Sequence, residues 1–416
     1  MKLFAYLWRK PIIQFHMKYI ARESYVERIR PYVGRPIIKV LTGQRRVGKS
    51  YVMMQLSDEI KQKDDHAHII FVNCELEEFR HIKTSTDLYA YVESCLQHDR
   101  QNYLFIDEVQ EIDAFQDALR SLLAEQKCDI YCTGSNANIL SSELATYLSG
   151  RYMEFDIHSL SYREFLLFHR LEHTQESLMK YLTFGGMPFL YNLDLTREQV
   201  FEYLRNVYST ILLKDVVAKE KIRNVSFLEN LVAFVADNVG SLFSSNNISK
   251  YLKSQQVQMS PQLIINYLKA LTNTYFIHRV QRAEVGGLKI FEIGEKYYFE
   301  DLGLRNLIRR DSASDIHKLM ENAVYLHLIQ SGYRVFVGKI GEKEIDFVAE
   351  KNGNKMYVQV TLTALDEKTR AREFGSLMEI DDNYPKYVVA LQDVIIANDY
   401  KGIEYCNLKD FLLMPF

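Results

Sequence analysis

Gly43, Gly48, Lys49 and Ser50 stand at the spacing G-x-x-x-x-G-K-S within "LTGQRRVGKS". Glycines let a chain turn successive backbone N–H groups toward one point, and the lysine and serine add a cation and a metal ligand. That combination suits a nucleotide's phosphates. The whole loop, Gly43, Gln44, Arg45, Arg46, Val47, Gly48, Lys49, Ser50 and Tyr51, is the expected binding segment. Lys49 is expected on the β- and γ-phosphates, Ser50 on Mg²⁺, and ATP is the expected ligand. Further along, "YLFIDE" ends an apolar run with Asp107 and Glu108. Asp107 is expected to hold Mg²⁺ through water, and Glu108 to take the proton of an attacking water. "YCTGSNA" supplies Thr133, Ser135 and Asn136 at the end of the next run. Asn136 is expected to contact the γ-phosphate or the water. Arg151, in "LSGRYMEF", is expected to bring positive charge to a γ-phosphate in its own or a neighbouring subunit, which makes a homo-oligomer an expected state.

These residues need a frame. Short apolar runs at 36–42, 68–74, 103–108, 129–134 and 152–157 alternate with amphipathic stretches. Nearly continuous apolar runs of strand length suit parallel strands buried on both faces, hence a doubly wound α/β core. One run separates the glycine loop from Asp107, an order that suits an ATPase with a catalytic glutamate. Residues 1–35 read as an N-terminal helical segment, 36–158 as the P-loop core, and 159–225 as a helical subdomain broken at "FGGMPFL".

Residues 226–305 read as helices followed by a hairpin around Gly286–Gly287, the layout of a winged helix. Ser260 before Pro261 marks one helix start. Lys253, Gln255, Gln256, Gln258, Gln262, Asn266 and Lys269 would offer phosphate and base contacts, so DNA is an expected partner. Residues 306–416 follow an α-β-β-β-α-β order.

The 416 residues are 47% hydrophobic and 25% charged with a formal net charge of −3, so overall charge does not argue for nucleic acid. The five cysteines are odd in number and form no C-x-x-C pair, which suggests neither a zinc ribbon nor a disulfide framework. No run is long and apolar enough to span a membrane, and a cytoplasmic setting is expected.

The series "LTGQRRVGKS", "LFIDEVQ", "TGSNANIL", "LSGRYMEFDIHSLSYREFL", "FGGMPFL" and "LLKDVV" resembles the AAA-like ATP-binding proteins of bacteria and archaea that carry a C-terminal domain of unknown function. The resemblance implies an AAA+-like core, a helical and winged-helix middle, and a nuclease-like C-terminal fold. That last region resembles the restriction-endonuclease-like PD-(D/E)XK fold, whose metal is held by acids on a helix and two strands beside a lysine. Here Glu321 and Asp346 match two acids, while Gln359 stands for the glutamate and Thr361 for the lysine. An amide is a poor Mg²⁺ ligand, so the site is expected to be inactive and the region to serve as a surface for a protein partner. Lys343 and Lys355 are the alternative lysines. The expected function is Mg²⁺-dependent ATP hydrolysis coupled to domain movement on DNA. The rivals are a nucleotide-gated switch or scaffold with slow turnover, and an ATP-controlled DNA endonuclease.

Overall fold

The computed structural model describes residues 19–137, 150–218, 222, 224–244, 248–250, 253, 259–286, 290–309, 315–363, 374–391 and 399–415. The first sheet contains β1 (Ile38–Thr42), β2 (Ala67–Asn73), β3 (Gln101–Asp107), β4 (Asp129–Thr133) and β5 (Tyr152–Asp156). All pairings are parallel, in the order β2-β3-β4-β1-β5. Alternate side chains along each strand face opposite ways. Ile38, Val40, Leu104 and Ile106 therefore join one core, while Leu41, Tyr103 and Phe105 join the other. Helices α3 (Ser85–Cys95) and α4 (Phe115–Ala124) cover the first face. Helices α1 (Glu23–Ile29) and α2 (Lys49–Lys63) cover the second. Helix α3 starts where Thr84 and Asp87 form a reciprocal capping box, which satisfies two of the N–H groups a helix start leaves unpaired.

Beyond β5 the chain turns helical, as its pattern predicts: α5 (Tyr162–His169), α6 (Gln175–Phe184) and α7 (Arg197–Thr210). Ser161 and Glu164 box the start of α5. The α6 helix ends at Gly185, which has φ +76° and lies so close to Asp301 and Gly303 that a Cβ would collide with both. Helix α7 runs into a π-helical segment, Ile211–Ala218.

The middle region holds α8 (Val225–Asp237), α9 (Pro261–Asn273), capped by Ser260, and an antiparallel hairpin of β6 (Ile277–Glu284) and β7 (Ile290–Phe299). Gln255, Gln256, Gln258 and Gly287 lie outside the described residues. After α10 (Leu302–Arg309) come α11 (Ile316–Gln330), β8 (Arg334–Ile340), β9 (Lys343–Lys351), β10 (Asn354–Thr361) and β11 (Lys386–Ala390). A short β12 (Asp399–Tyr400), then β13 (Ile403–Asn407) and α12 (Leu408–Phe411), extend the expected order. Of the helix expected over 366–380, residues 374–378 are described and helical.

The hairpin does not stand apart. β6 pairs in parallel with β8, so one eight-stranded sheet runs β12-β13-β11-β10-β9-β8-β6-β7. A single hydrophobic core continues from Phe165 in α5 through Leu231, Tyr298 and Phe347 to Phe411. The helical, hairpin and C-terminal regions are thus packed on one another.

Candidate nucleotide site

Gly43 and Gly48 take φ values of +136° and +99°, conformations that side chains disfavour. A Cβ on Gly43 would sit 2.1 Å from the Ile157 carbonyl oxygen, so only glycine lets the loop leave β1 at that point. Gly48 is the N-cap of α2, whose first residues are Lys49 and Ser50. The loop therefore rests on a helix N-terminus, where free N–H groups and the helix dipole favour an anion. Lys49 is buried, and its Nζ donates to the carbonyls of Gly43 and Gln44 at 3.0 and 2.9 Å. Burial pulls its pKa below the usual lysine value, with Glu108 and Asp107 opposing that shift. Tyr51 is exposed.

β4 lies between β1 and β3, and its end joins the two sites. The Thr133 hydroxyl donates to Asp107 Oδ1 at 2.6 Å and accepts the Glu108 N–H at 2.8 Å. Ser135 Oγ donates to Glu108 Oε2 at 3.2 Å, and Gln110 donates to the same oxygen. Ser50 hydrogen-bonds Asp107, whose pKa is raised chiefly by burial while the Thr133 and Ser50 bonds pull it down. Sequence reasoning favours Asn136 among the polar residues here; Asn136 is buried beside them, but Thr133 and Ser135 make the bonds that hold the two acids. Glu108 takes φ +55°, a left-handed conformation that costs about 1 kcal/mol or more in a non-glycine residue and marks a constrained position.

Arg151 is exposed and lies at the other end of the sheet. Its carbonyl accepts from the Ile38 N–H, where β1 begins, whereas the loop leaves where β1 ends. Five residues of strand put roughly 16 Å between those ends, beyond an arginine's reach within one chain.

Two arginines that tie the loop to other elements carry no sequence motif that names their role. Arg22 is 3% exposed. Its guanidinium donates to the carbonyls of Val47 and His158 at 2.8 and 2.9 Å and grips the Glu164 carboxylate through two 2.8 Å bonds. Arg45 pairs bidentately with buried Asp215 of the π-helical segment, at 2.8 and 3.1 Å, and reaches Glu75 at 3.3 Å. Its neighbour Arg46 is exposed and lines the cavity. The available signal is the "LLKDVV" stretch, whose aspartate interrupts an apolar run and needs a partner once buried.

A cavity of about 310 Å³ opens beside the loop, lined by Lys49, Ser50 and Glu108 and by the rings of Tyr19, Phe168, Phe189, Tyr191 and Tyr203. The Phe189 and Tyr203 rings stack at 4.8 Å. The Tyr203 hydroxyl and both amide atoms of Gln44 are buried without a hydrogen-bond partner among the described residues. Unpaired polar atoms beside glycines, a lysine and two carboxylates fit a polyphosphate with a divalent cation.

The C-terminal residues also converge. Glu321 on α11 and Asp346 on β9 both pair with Lys296 of β7, which sequence reasoning missed. Its signal is a lysine at the alternate position to the apolar-facing Tyr298. Gln359 Oε1 accepts the Asp346 N–H at 3.3 Å, and Thr361 donates to the Thr363 carbonyl. Lys343 pairs with Glu379 at the surface, and Lys355 lies toward the opposite end of β10 from Gln359.

The sheet order, the glycine loop after β1 and the acids at the end of β3 match an AAA P-loop core. A family model described as "AAA domain" matches residues 35–166, and one described as "Domain of unknown function (DUF8612)" matches residues 175–315, in the middle of the chain. Over 400 residues the chain is 32% identical to an uncharacterized protein of Haemophilus influenzae, covering 95% of this chain and 98% of that protein. The chain belongs to the same family as that protein. It is 28% identical to the uncharacterized protein MJ1544 of Methanocaldococcus jannaschii over 391 residues, 90% of this chain and 85% of its relative. Among solved structures it is similar to Cdc6p from Pyrobaculum aerophilum at 12% identity and a TM-score of 0.31, covering 71% of this chain and 96% of the other. Among the described residues no helix is long and apolar enough to cross a membrane.

Proposed function

We propose that the protein binds ATP with Mg²⁺ and hydrolyses it. The observation that carries this reading is one site in which the glycine loop, Lys49 and Glu108 line a cavity together with aromatic rings, with Asp107 next to Glu108. The loop N–H groups and Lys49 bind the phosphates, and the aromatic wall takes the base. Ser50 and Asp107 hold Mg²⁺, which supplies charge neutralisation when bound. Glu108, oriented by Ser135, accepts the proton of the attacking water. Arg151 serves a neighbouring subunit's site, because its place at the far end of β5 suits action in trans only.

Hydrolysis is coupled to domain movement through Arg45, which leaves the phosphate loop to grip Asp215 in the helical region. The exposed Gln262, Asn266 and Lys269 lie along one side of α9 and offer a DNA contact through a winged-helix arrangement. The test is ATP hydrolysis by the purified protein with and without single- and double-stranded DNA, beside binding measured by calorimetry. Lys49→Ala should lose binding. Glu108→Gln should keep binding and turn over roughly 10²–10⁴-fold more slowly. Normal turnover in Glu108→Gln would remove Glu108 from the chemistry.

A further inference from the structure

Lys296 Nζ lies 3.0 Å from Glu321 Oε1, 2.9 Å from Glu344 Oε1 and 3.7 Å from Asp346 Oδ1. Its side chain is 3% exposed. Three carboxylates from α11 and β9 thus converge on one buried ammonium carried by β7. Two further donors reach the cluster. The Tyr298 hydroxyl donates to Glu321 Oε1 at 2.6 Å, and the Val360 N–H donates to Asp346 Oδ2 at 2.8 Å. A Cβ on Gly240 would lie 2.6 Å from Glu321 Oε2, so the α8 end closes over that carboxylate as well.

These residues occupy the positions at which the resemblance to a PD-(D/E)XK nuclease implies a divalent cation, and they do not fit one. A cation bridging Glu321 and Asp346 would need oxygens at about 2.0–2.6 Å, within the volume the ammonium fills. The two positive charges would also face each other across a few ångströms of buried, poorly screened space. We propose that Lys296 is the resident cation of this cluster: it takes the metal's place, offsets part of the carboxylates' charge, and fastens the β6–β7 hairpin to the C-terminal frame.

The Gln359 departure from the nuclease pattern fits that substitution. With an internal cation already present, a further carboxylate on β10 would add uncompensated negative charge. Gln359 carries none, and its amide oxygen instead accepts the Asp346 N–H. At position 361 the Thr361 hydroxyl donates to the Thr363 carbonyl. Lys296 also differs in role from a lysine that activates water. It is engaged by the carboxylates and shielded from solvent, whereas the adjoining cavity of about 410 Å³ is lined by His317, Lys343, Glu344, Asp346, Gln359 and Ser376, not by Lys296. The proposal stands independently of the nucleotide-site reading.

The experiment is Mn²⁺ binding without nucleotide, by paramagnetic resonance and calorimetry, on the full chain carrying Lys49→Ala and Asp107→Asn to silence the P-loop site. In that background the cluster should take no Mn²⁺. Adding Lys296→Met should create one Mn²⁺ site and make thermal stability rise with millimolar Mn²⁺. Adding Asp346→Asn to that should abolish both effects, while Lys296→Arg should bind none. If Lys296→Met does not fold, Lys296→Met/Glu344→Gln, which keeps the charge balance, should fold and gain the same site. Mn²⁺ binding with Lys296 in place that disappears in Asp346→Asn overturns the proposal. So does a folded Lys296→Met variant that gains no site.

Discussion

Two buried lysines organise this protein, and they face opposite partners. Among the described residues Lys49 donates to the neutral carbonyls of its own loop, with the Asp107 and Glu108 carboxylates acting on it from further off. Burial therefore lowers its pKa, and its charge is held where it benefits from an incoming anion. Lys296 meets the same desolvation, but Glu321, Asp346 and Glu344 outweigh it and raise its pKa above the ordinary value. Its charge is already spent on structure. A buried cation surrounded by dipoles is suited to binding, and one surrounded by carboxylates is suited to holding elements together.

Exchanging the two lysines for alanine should separate those roles most sharply. Lys296→Ala leaves two buried carboxylates and the partly exposed Glu344 without their cation and should cost about 3–5 kcal/mol of stability while a folded population still binds ATP. Lys49→Ala leaves two carbonyls with fewer donors but relieves a buried charge, so stability should change by about 1 kcal/mol or less while ATP binding is lost. Urea unfolding followed by circular dichroism, beside nucleotide calorimetry, reads both. Equal destabilisation by the two substitutions would break the contrast. These point changes probe the C-terminal region more cleanly than deleting residues 310–416, which would also strip β8 from β6.

Arg22 stands between the two extremes, since it holds a carboxylate and a loop carbonyl together. Lysine cannot reproduce the fork of donors, so Arg22→Lys should cost roughly 2–3 kcal/mol and weaken ATP binding through the displaced Val47 carbonyl. Stability loss with unchanged ATP affinity would assign Arg22 to packing alone.

A smaller, pH-dependent effect is expected where the sheet edge meets the hairpin. Glu300 Oε2 accepts from His158 Nδ1 at 3.0 Å and from His278 Nε2 at 2.6 Å. Burial disfavours the Glu300 charge, but the two imidazoles outweigh it and hold the carboxyl well below its ordinary 4.5. Burial likewise opposes charge on His158, and Glu300 overcomes it, raising that pKa above 6.5. The pair's contribution is therefore full between about pH 4.5 and 6.5. It is lost as acid protonates Glu300 through its lowered pKa, and as alkali deprotonates His158 through its raised one. Wild type should exceed Glu300→Gln by about 1–2 kcal/mol within that window and by less on either side. A difference independent of pH would show that the charged pair contributes nothing.

The smallest expected stability effect is at Arg151, where alanine should change stability by less than about 0.5 kcal/mol. Turnover should nonetheless fall, depend on protein concentration, and recover on mixing with Lys49→Ala. Absence of that recovery would rule out action in trans.

Much was legible in the residue order because it is local. The loop Gly43–Ser50, the five strands, of which the central β1, β3 and β4 are buried while the edge strands β2 and β5 are partly exposed, the helix start at Ser260–Pro261 and the break at Gly185–Gly186 each follow from spacing, periodicity or one residue's allowed conformations. Asp107 and Glu108 were readable for the same reason, as acids ending an apolar strand. Only the tertiary structure decided which distant partners complete each site. Thr133 bonds Asp107 across 26 positions, Arg45 meets Asp215 across 170, and Arg22 reaches Glu164 across 142. Lys296 was the least legible, for a lysine in a strand ordinarily turns to solvent. What buries this one is the parallel joining of β6 to β8, which brings the hairpin against α11 and β9 and sets their carboxylates around it. Local sequence specifies which groups a segment carries, but the balance of charge in a buried cluster is settled only when separate segments share the same low-dielectric space.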